Sequence, residues 1–287
     1  MKIGGDLMDK KLIFLDADGT LTLPDGRVSP KVQEAIHQVQ KNGHEVFLCT
    51  GRSYAGARPL FPIGFDGIIS SAGGYIEVHG QKIFESCLSQ EDIQLARHIF
   101  DQHHILYNLE ANHMTFQDEK MNYEFVKHRL KDGENLNSEL QRLLNEQKEH
   151  FNIHPLKEYD ENPIPIQKLC FMCEKEEDLE EPKRVLSDKF HFVIHEIFSQ
   201  DVINGEIIMK GTDKGTAVEK VCEYLNVPIQ NTIAFGDSMN DYAMIQTCEY
   251  GVVMANGSKE LKQYGNAICE SVQDDGIYHE LHRLGLF

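Results

Sequence analysis

Two short apolar runs, one near each end of the chain, each end directly in an acidic loop. The runs cover residues 12–15 and 232–235, and both have the length and composition of buried strands. Open parallel sheets bring the carboxyl ends of their strands to one edge, where ligands bind. The pattern therefore predicts that four carboxylates, far apart in sequence, gather at one place. They belong to Asp16, Asp18, Asp237 and Asp241.

The segments after the first acidic loop alternate between helix and strand patterns. A helix is predicted to begin at Pro30, after the N-cap candidate Ser29, and to end at Gly43. Strands are predicted at 46–49 and 67–70, followed by a hairpin over 75–84. Strand, helix and strand in this order form a βαβ unit. The predicted fold class is therefore α/β, with a doubly wound Rossmann-like core around a parallel sheet.

The middle of the chain interrupts this alternation. Residues 84–200 mix amphipathic helices with isolated strands, and they hold 24 acidic against 13 basic residues. The alternation resumes at about residue 205, with Ile207-Ile208-Met209 predicted as its first strand. The expected organisation is a core domain formed by residues 1–83 and 204–287, and an inserted α+β cap domain formed by residues 84–203.

Composition restricts the possible partners. The net charge of −18 argues against nucleic acid or an anionic membrane as a partner, because both require clustered positive charge. No apolar run reaches the roughly 18 residues of a membrane helix, and seven scattered cysteines suit a reducing compartment. We therefore expect a soluble, cytoplasmic protein. Residues 1–7 receive no function, and the choice between monomer and homodimer stays open.

Four carboxylates held together repel one another unless a cation neutralises them. Ligation by carboxylate oxygens and water suits Mg²⁺, which commonly accompanies a phosphate. The alternative, that Asp and Gly only mark turns, explains one such loop more easily than all of them. The sequence therefore predicts a Mg²⁺ site at this sheet edge.

A phosphate beside Mg²⁺ needs hydrogen-bond donors on its other side. Thr50 offers a hydroxyl, Gly51 lets backbone N–H groups approach closely, and Lys214 places a charge at the start of a helix, where anions are favoured. Lys214 is preferred over Lys210, which ends a strand and is open to solvation. Arg52 is either a further forked donor or a surface residue.

Together these residues resemble the haloacid dehalogenase superfamily, and within it the Cof-like members with a large C2-type (IIB) cap. The 22 residues between Lys214 and Asp237 fit one helix and one strand, as that family requires. The resemblance rests on four separated motifs in the family's order. They are Asp16-Ala17-Asp18-Gly19-Thr20-Leu21, Thr50-Gly51-Arg52-Ser53, Lys214-Gly215 and Gly236-Asp237-Ser238-Met239-Asn240-Asp241.

The resemblance implies a role for each acidic residue. Asp16 would be the nucleophile that forms an aspartyl-phosphate, and Asp18 would be the general acid and then the general base. Mg²⁺ would be held by Asp16, by the backbone carbonyl of Asp18 and by Asp237. Thr50, Gly51 and Lys214 would bind the phosphoryl group. The supporting residues would be Asn240, Asp241 and Arg52.

The function that follows is a Mg²⁺-dependent phosphatase of small phosphorylated metabolites. An Asp at position 18 supplies a proton-transfer group, which favours turnover of a phosphoenzyme over dehalogenation. The resemblance puts sugar phosphates first among substrates and phosphorylated cofactors second. A phosphomutase and a non-catalytic metabolite sensor are the alternatives. Ala72 stands where Cof-like proteins often carry an Asn, a departure that concerns the substrate and not the reaction.

Other patterns are interpreted as structural. Cys170 and Cys173 match Cys-x-x-Cys, but there is no second pair, and positions three apart on a strand face opposite ways. His103-His104 and the spaced pair His191 and His195 lie on amphipathic segments and are not predicted ligands. The chain has no Walker-type phosphate loop and no dinucleotide-binding glycine motif, so no nucleotide cofactor is expected.

Overall fold

The structure, a computed structural model, describes residues 10–118, 152–194 and 203–287. Residues 1–7 and His195 lie outside these ranges. Strands in the described residues are β1 (Leu12–Leu15), β2 (Glu45–Cys49), β3 (Gly67–Ser70), β4 (Tyr75–Val78), β5 (Gln81–Glu85), β6 (Leu106–Glu110), β7 (Thr115–Gln117), β8 (Ile153–Pro155), β9 (Lys168–Cys173), β10 (Phe190–Ile194), β11 (Ile203–Met209), β12 (Thr232–Gly236), β13 (Tyr250–Met254) and β14 (Ala267–Cys269).

Helices alternate with these strands. They are α1 (Pro30–Lys41), α2 (Tyr54–Ala57), α3 (Gln90–Gln102), α4 (Leu156–Glu161), α5 (Glu180–Leu186), α6 (Lys214–Leu225), α7 (Tyr242–Thr247) and α8 (Gly276–Arg283). Short 3₁₀ turns cover Arg58–Ile63, Ser71–Gly73, Glu176–Leu179, Ile229–Asn231, Met239–Asp241, Leu261–Gln263 and Val272–Asp274. No helix in the described ranges has both the length and the apolar character needed to cross a membrane.

The first sheet has eight strands in the order β14-β13-β12-β1-β2-β3-β4-β5. Its first six strands pair in parallel, and β4 and β5 add an antiparallel hairpin, as predicted. Leu15 lies beside both Phe235 and Leu48, so the carboxyl ends of β12, β1 and β2 are aligned. The predicted parallel α/β core is confirmed.

Helices cover both faces of this sheet because side chains alternate along each strand. Ile13 and Leu15 pack in the same core cluster as α1 and α8, whereas Leu12 and Phe14 pack in the cluster of α6 and α7. Helix α1 begins at Pro30 as predicted and ends at Lys41, two residues before Gly43. The result is a doubly wound layer arrangement that holds the strand ends rigidly.

The second sheet has six strands in the order β10-β11-β9-β6-β7-β8. It is antiparallel except for the β7–β8 pair. One face packs against α3 and α5, with Leu109, Phe171 and Ile207 in the same cluster as Phe100 and Leu186. Cys173 also lies in that cluster, and Cys170 lies on the opposite face, as the strand periodicity predicts.

Strand β11 differs from the sequence interpretation. Ile207-Ile208-Met209 was expected to begin the returning core, but β11 pairs in antiparallel fashion with β10 and β9 of the second sheet. A short apolar strand carries no information about which sheet it joins, because that depends on long-range pairing. The predicted domain boundaries at 83/84 and 203/204 fall inside β5 and β11. The chain leaves the first sheet after Glu85 and leaves the second sheet after Met209.

Candidate active site

The strand ends of the first sheet carry residues that the sequence analysis predicted for the site. Asp16 follows β1, Thr50 follows β2, and Asp237 follows β12. The Asp16 backbone N–H donates to the Phe235 carbonyl at 3.0 Å, and the Thr50 N–H donates to the Ile69 carbonyl at 2.8 Å. These bonds extend the parallel ladder past the strand ends and bring Asp16 and Asp237, which are 221 positions apart, to one edge.

Lys214 connects two of the acids. It is the first residue of α6, whose N-cap Asp213 forms a capping box with Thr216. Its Nζ donates to Asp16 Oδ1 at 2.6 Å and to Asp241 Oδ1 at 2.5 Å, and it is only 1% exposed. Lys210, the other candidate, is exposed.

Asp241 is fully engaged in holding its neighbours. Its Oδ2 accepts hydrogen bonds from the backbone N–H groups of Asp237 at 2.9 Å and Ser238 at 3.2 Å, while Oδ1 accepts from Lys214. A side chain at Gly236 would place its Cβ 2.6 Å from the Asp241 Cβ, so only glycine fits there. Asp241 therefore shapes the Asp237 loop rather than facing a ligand.

Crowding and burial perturb the acids. The pKa of Asp16 is raised to about 7, first by burial and next by the charge of Asp241. Lys214 acts in the opposite direction and lowers the pKa. Burial and the charge of Asp16 raise the pKa of Asp237 well above its usual range. Burial alone would lower the pKa of Lys214, but Asp16 and Asp241 raise it well above normal. A cation beside these acids would favour their ionised forms.

The acids fit a hard divalent cation. One carboxylate oxygen from each of Asp16, Asp237 and Asp241 lies within 4.8 Å of the other two. Oxygen is the only donor type in this group, which is what Mg²⁺ prefers. Since both Asp241 oxygens already accept hydrogen bonds from protein groups, Asp16 and Asp237 are the better ligand candidates.

Arg52 binds the second acid of the first loop. Its Nη2 donates to Asp18 Oδ1 at 2.7 Å and its Nε donates to Asp18 Oδ2 at 3.1 Å, a forked pairing. Arg52 is only 4% exposed, so the alternative that it is a surface residue is wrong. The fork fixes the plane of the Asp18 carboxylate.

Thr50 and Gly51 form the loop between Arg52 and the sheet. The Thr50 hydroxyl accepts from the Arg52 N–H at 3.1 Å, and Thr50 is buried. A Cβ built on Gly51 would meet nothing within 4 Å, so this side of the loop is open to a ligand. The Gly51 carbonyl accepts a hydrogen bond from Lys168 Nζ at 2.9 Å.

Sequence reasoning missed Lys168. It is a buried lysine at the start of the apolar strand β9, and an unpaired charge in such a strand is costly enough to signal a partner. Asn240, a predicted supporting residue, accepts a hydrogen bond at its Oδ1 from the Ser238 hydroxyl at 2.8 Å. Ala72 has φ +53°, a left-handed conformation in which Asn is commoner than Ala.

Comparisons with known proteins agree with this geometry. Residues 13–281 match the family model of haloacid dehalogenase-like hydrolases. YkrA of Bacillus subtilis is 28% identical over 282 residues, covering 97% of this chain and 99% of that protein. The HMP-PP phosphatase of Serratia proteamaculans is 27% identical over 256 residues, covering 88% of this chain and 86% of that protein.

A solved structure shows the same fold. A sugar phosphatase of subclass IIB of this superfamily superposes with a TM-score of 0.74 at 19% identity, covering 97% of this chain and 100% of that one. Its likeness extends over both sheets, and the family model extends over both acidic loops. The chain therefore belongs to the haloacid dehalogenase-like hydrolases as a Cof-like member, which confirms the predicted family and the predicted enzyme class, a phosphoric monoester hydrolase.

Proposed function

We propose that this protein is a Mg²⁺-dependent phosphatase of small phosphorylated metabolites, sugar phosphates foremost, that acts through an aspartyl-phosphate. The observation that carries the proposal is the buried Lys214, which bonds Asp16 and Asp241 at the sheet edge where Asp237 also lies. Relatives named as an HMP-PP phosphatase and a sugar phosphatase support small phosphorylated substrates.

In the first step, an Asp16 carboxylate oxygen attacks the phosphorus of the substrate. The bond between phosphorus and the leaving oxygen breaks as the new bond to Asp16 forms, and Asp18 gives its proton to that leaving oxygen. Asp18 is held for this transfer by the forked contact with Arg52. Lys214 offsets the charge that builds up at the transferring group.

In the second step, Asp18 takes a proton from a water molecule as that water attacks the phosphorus. The bond between phosphorus and Asp16 breaks, inorganic phosphate leaves, and Asp16 returns as a carboxylate. Thr50 and the N–H groups around Gly51 hold the phosphoryl oxygens, because this loop is open on the Gly51 side.

A divalent cation fits the donor set of this site. Asp16, Asp237 and the backbone carbonyl of Asp18 would hold Mg²⁺. When bound, Mg²⁺ would neutralise phosphoryl charge and lower the repulsion among the clustered carboxylates. The strongly raised pKa of Asp237 marks a group that is poorly solvated when ionised, which is the environment a bound cation relieves.

The test is release of inorganic phosphate from a panel of phosphorylated metabolites, with Mg²⁺ and with excess chelator. We expect turnover only with Mg²⁺, and loss of turnover in Asp16→Asn. Asp188→Asn is the matched control and should keep full activity, because Asp188 is exposed and lies between α5 and β10. Normal turnover by Asp16→Asn would overturn the nucleophile assignment, and equal rates in chelator would overturn the metal. Transfer of the phosphoryl group back to the sugar, with no free phosphate, would indicate a phosphomutase.

A further inference from the structure

A short turn follows β13 at the edge of the first sheet where the acids lie. It covers residues 255–258, and we call it the bridging turn. The Gly257 N–H donates to the Met254 carbonyl at 2.8 Å, which closes the turn directly after the strand. Strand β13 pairs in parallel with β12, so the bridging turn leaves the sheet at the same edge as the Asp237 loop. No step of the proposed mechanism uses this turn.

Asn256 ties the bridging turn to the first acidic loop. Its Nδ2 donates to the Gly19 carbonyl at 2.7 Å, and its Oδ1 accepts from the Val272 N–H at 2.9 Å. These two contacts fix the orientation of the amide, because only its nitrogen can donate. Gly19 directly follows Asp18 and has φ +81°. The contact therefore holds the first acidic loop at its left-handed residue.

The bridging turn holds the second acidic loop through its backbone. The Ser258 N–H donates to the Asp237 carbonyl at 2.8 Å. Gly257 packs directly on the same residue, since a Cβ built there would lie 2.7 Å from the Asp237 carbonyl oxygen and 3.1 Å from its Cα. The Asp237 N–H is bonded to Asp241 Oδ2 at 2.9 Å. Both backbone groups of Asp237 are thus held, one of them by the bridging turn.

The two loops carry the proposed ligands of Mg²⁺. Asp16 and the carbonyl of Asp18 belong to the first loop, and Asp237 belongs to the second. Carboxylate oxygens of Asp16 and Asp237 lie within 4.8 Å of each other, so the ionised loops repel one another. Mg²⁺ demands near-ideal octahedral geometry, which makes its affinity sensitive to the spacing of its ligands. A tie between the loops resists the repulsion and fixes that spacing.

The exposure of Asn256 separates this tie from the packed core. Asn256 is exposed, whereas the two glycines that it connects through the turn, Gly19 and Gly257, are buried. Substitutions of exposed side chains usually change stability little. Removal of the Asn256 amide should therefore release the first loop and leave the fold intact.

We propose that the bridging turn positions the metal ligands, with Asn256 as its positioning residue. Asn256 acts through Gly19 on the first loop, and the backbone of the same turn acts on Asp237 in the second. Together these contacts set the distance between the Asp18 carbonyl and the Asp237 carboxylate. The proposal rests on the Mg²⁺-dependent phosphatase function proposed above.

The first experiment measures the Kd of Mg²⁺ by isothermal titration calorimetry in the unmodified protein and in Asn256→Ala. We expect the Kd to rise by about tenfold, the effect of losing one hydrogen bond that holds a ligand loop. The Tm in chelator should change little, because Asn256 is exposed. Asn266→Ala is the matched control and should leave the Kd unchanged. Asn266 is also exposed, and its Oδ1 accepts from the Gly251 N–H at 2.7 Å, near the other end of β13.

A second measurement separates metal positioning from damage to the catalytic groups. In hydrolysis of p-nitrophenyl phosphate, Asn256→Ala should need about tenfold more Mg²⁺ for half of its maximal rate. Saturating Mg²⁺ should restore most of kcat, because mass action refills a weakened site. A kcat that stays low at saturating Mg²⁺ would overturn the proposal, since the defect would then lie in the catalytic groups.

A second variant tests the contact with the other loop. In Gly257→Ala the added Cβ would press on the Asp237 carbonyl, so the Kd of Mg²⁺ should rise here as well. Where this variant does not fold, Asn256→Ala decides alone, and an unchanged Kd in Asn256→Ala would overturn the positioning role. Absence of Mg²⁺ binding and of Mg²⁺-dependent phosphate release in the unmodified protein would instead overturn the proposed function, and the role of the bridging turn with it.

Discussion

At the residue scale, the site is a balance of buried charges around one ammonium group. Lys214 bonds two carboxylates that are 225 residues apart, and none of the three groups is more than 4% exposed. Sequence reasoning placed Lys214 at a helix start, beside a bound phosphate. The two-acid contact was not predictable, because it depends on how α6 and the Asp237 loop meet at the strand end.

Substitution of Lys214 by methionine should leave two buried carboxylates without a counter-charge. Breaking a buried ion pair by removing one partner costs about 3–5 kcal/mol in the free energy of unfolding. Loss of charge stabilisation at the transferring phosphoryl group should lower kcat by about 10²-fold or more. Urea denaturation and phosphate release measure the two effects. Lys210→Met, at an exposed lysine four residues away, should change neither, and a fully active Lys214→Met protein would contradict the proposed role.

Substitution of Arg52 by lysine should selectively disturb Asp18, the proposed general acid. A lysine keeps the charge but loses the fork that fixes the Asp18 carboxylate. Esters with poor leaving groups need a proton at the leaving oxygen, so we expect kcat for alkyl phosphates to fall by about tenfold. The rate for p-nitrophenyl phosphate, a good leaving group, should fall much less.

The control for that comparison is Arg58→Lys, at an exposed arginine in the following 3₁₀ turn, which should leave both rates unchanged. Equal losses on alkyl and aryl substrates in Arg52→Lys would show that Arg52 acts on phosphate binding or on folding and not on the proton transfer.

At the element scale, two loops are pressed together where the sheet edge meets α6. Gly73 has φ +99°, and a Cβ there would lie 2.3 Å from the carbonyl oxygen of Asp213. Asp213 is the N-cap of α6, and Lys214 is its first residue. The glycine after β3 therefore sets the position of the helix end that carries the site's ammonium group.

Substitution of Gly73 by alanine should lower both stability and activity. The left-handed conformation alone costs an L-residue roughly 1–2 kcal/mol, and the backbone clash adds to that cost by displacing α6. Gly26→Ala is a matched control, because Gly26 has φ +81° with nothing within 4 Å of its Cβ position. Thermal unfolding and phosphate release should show a small stability loss with full activity for Gly26→Ala, and a larger loss of both for Gly73→Ala. Equal effects would mean that the contact with Asp213 is unimportant.

At the scale of the whole molecule, the proposed metal site predicts that Mg²⁺ binding, stability and pH are coupled. The folded-state pKa of Asp16 is about 7 against an ordinary value of 3.8, because burial penalises its ionised form. Its contribution to stability is thus fully present below pH 3.8 and is lost as the pH rises through about 7 in the metal-free protein. In the proposed site, Mg²⁺ would bind the ionised carboxylates and restore the stability that ionisation of Asp16 removes.

The increase in Tm that Mg²⁺ produces should therefore be larger at about pH 8 than at about pH 5. Differential scanning fluorimetry with Mg²⁺ and with chelator measures this difference. In Asp16→Asn, the Mg²⁺-induced increase in Tm should depend less on pH, because the side chain at position 16 no longer titrates. An Mg²⁺ effect that is the same at both pH values would contradict the assignment of Asp16 as a ligand.

The sequence by itself determined the parallel core, the order of its motifs and the acids at its strand ends. That was possible because apolar strand runs and the loops after them are local features, and the βαβ rule fixes where such loops meet. Only the tertiary structure decided that β11 joins the second sheet, that Arg52 holds Asp18, and that Lys168 reaches Gly51 from the second sheet. These contacts join residues far apart in the chain, and they depend on strand pairing and side-chain direction, which no local pattern specifies.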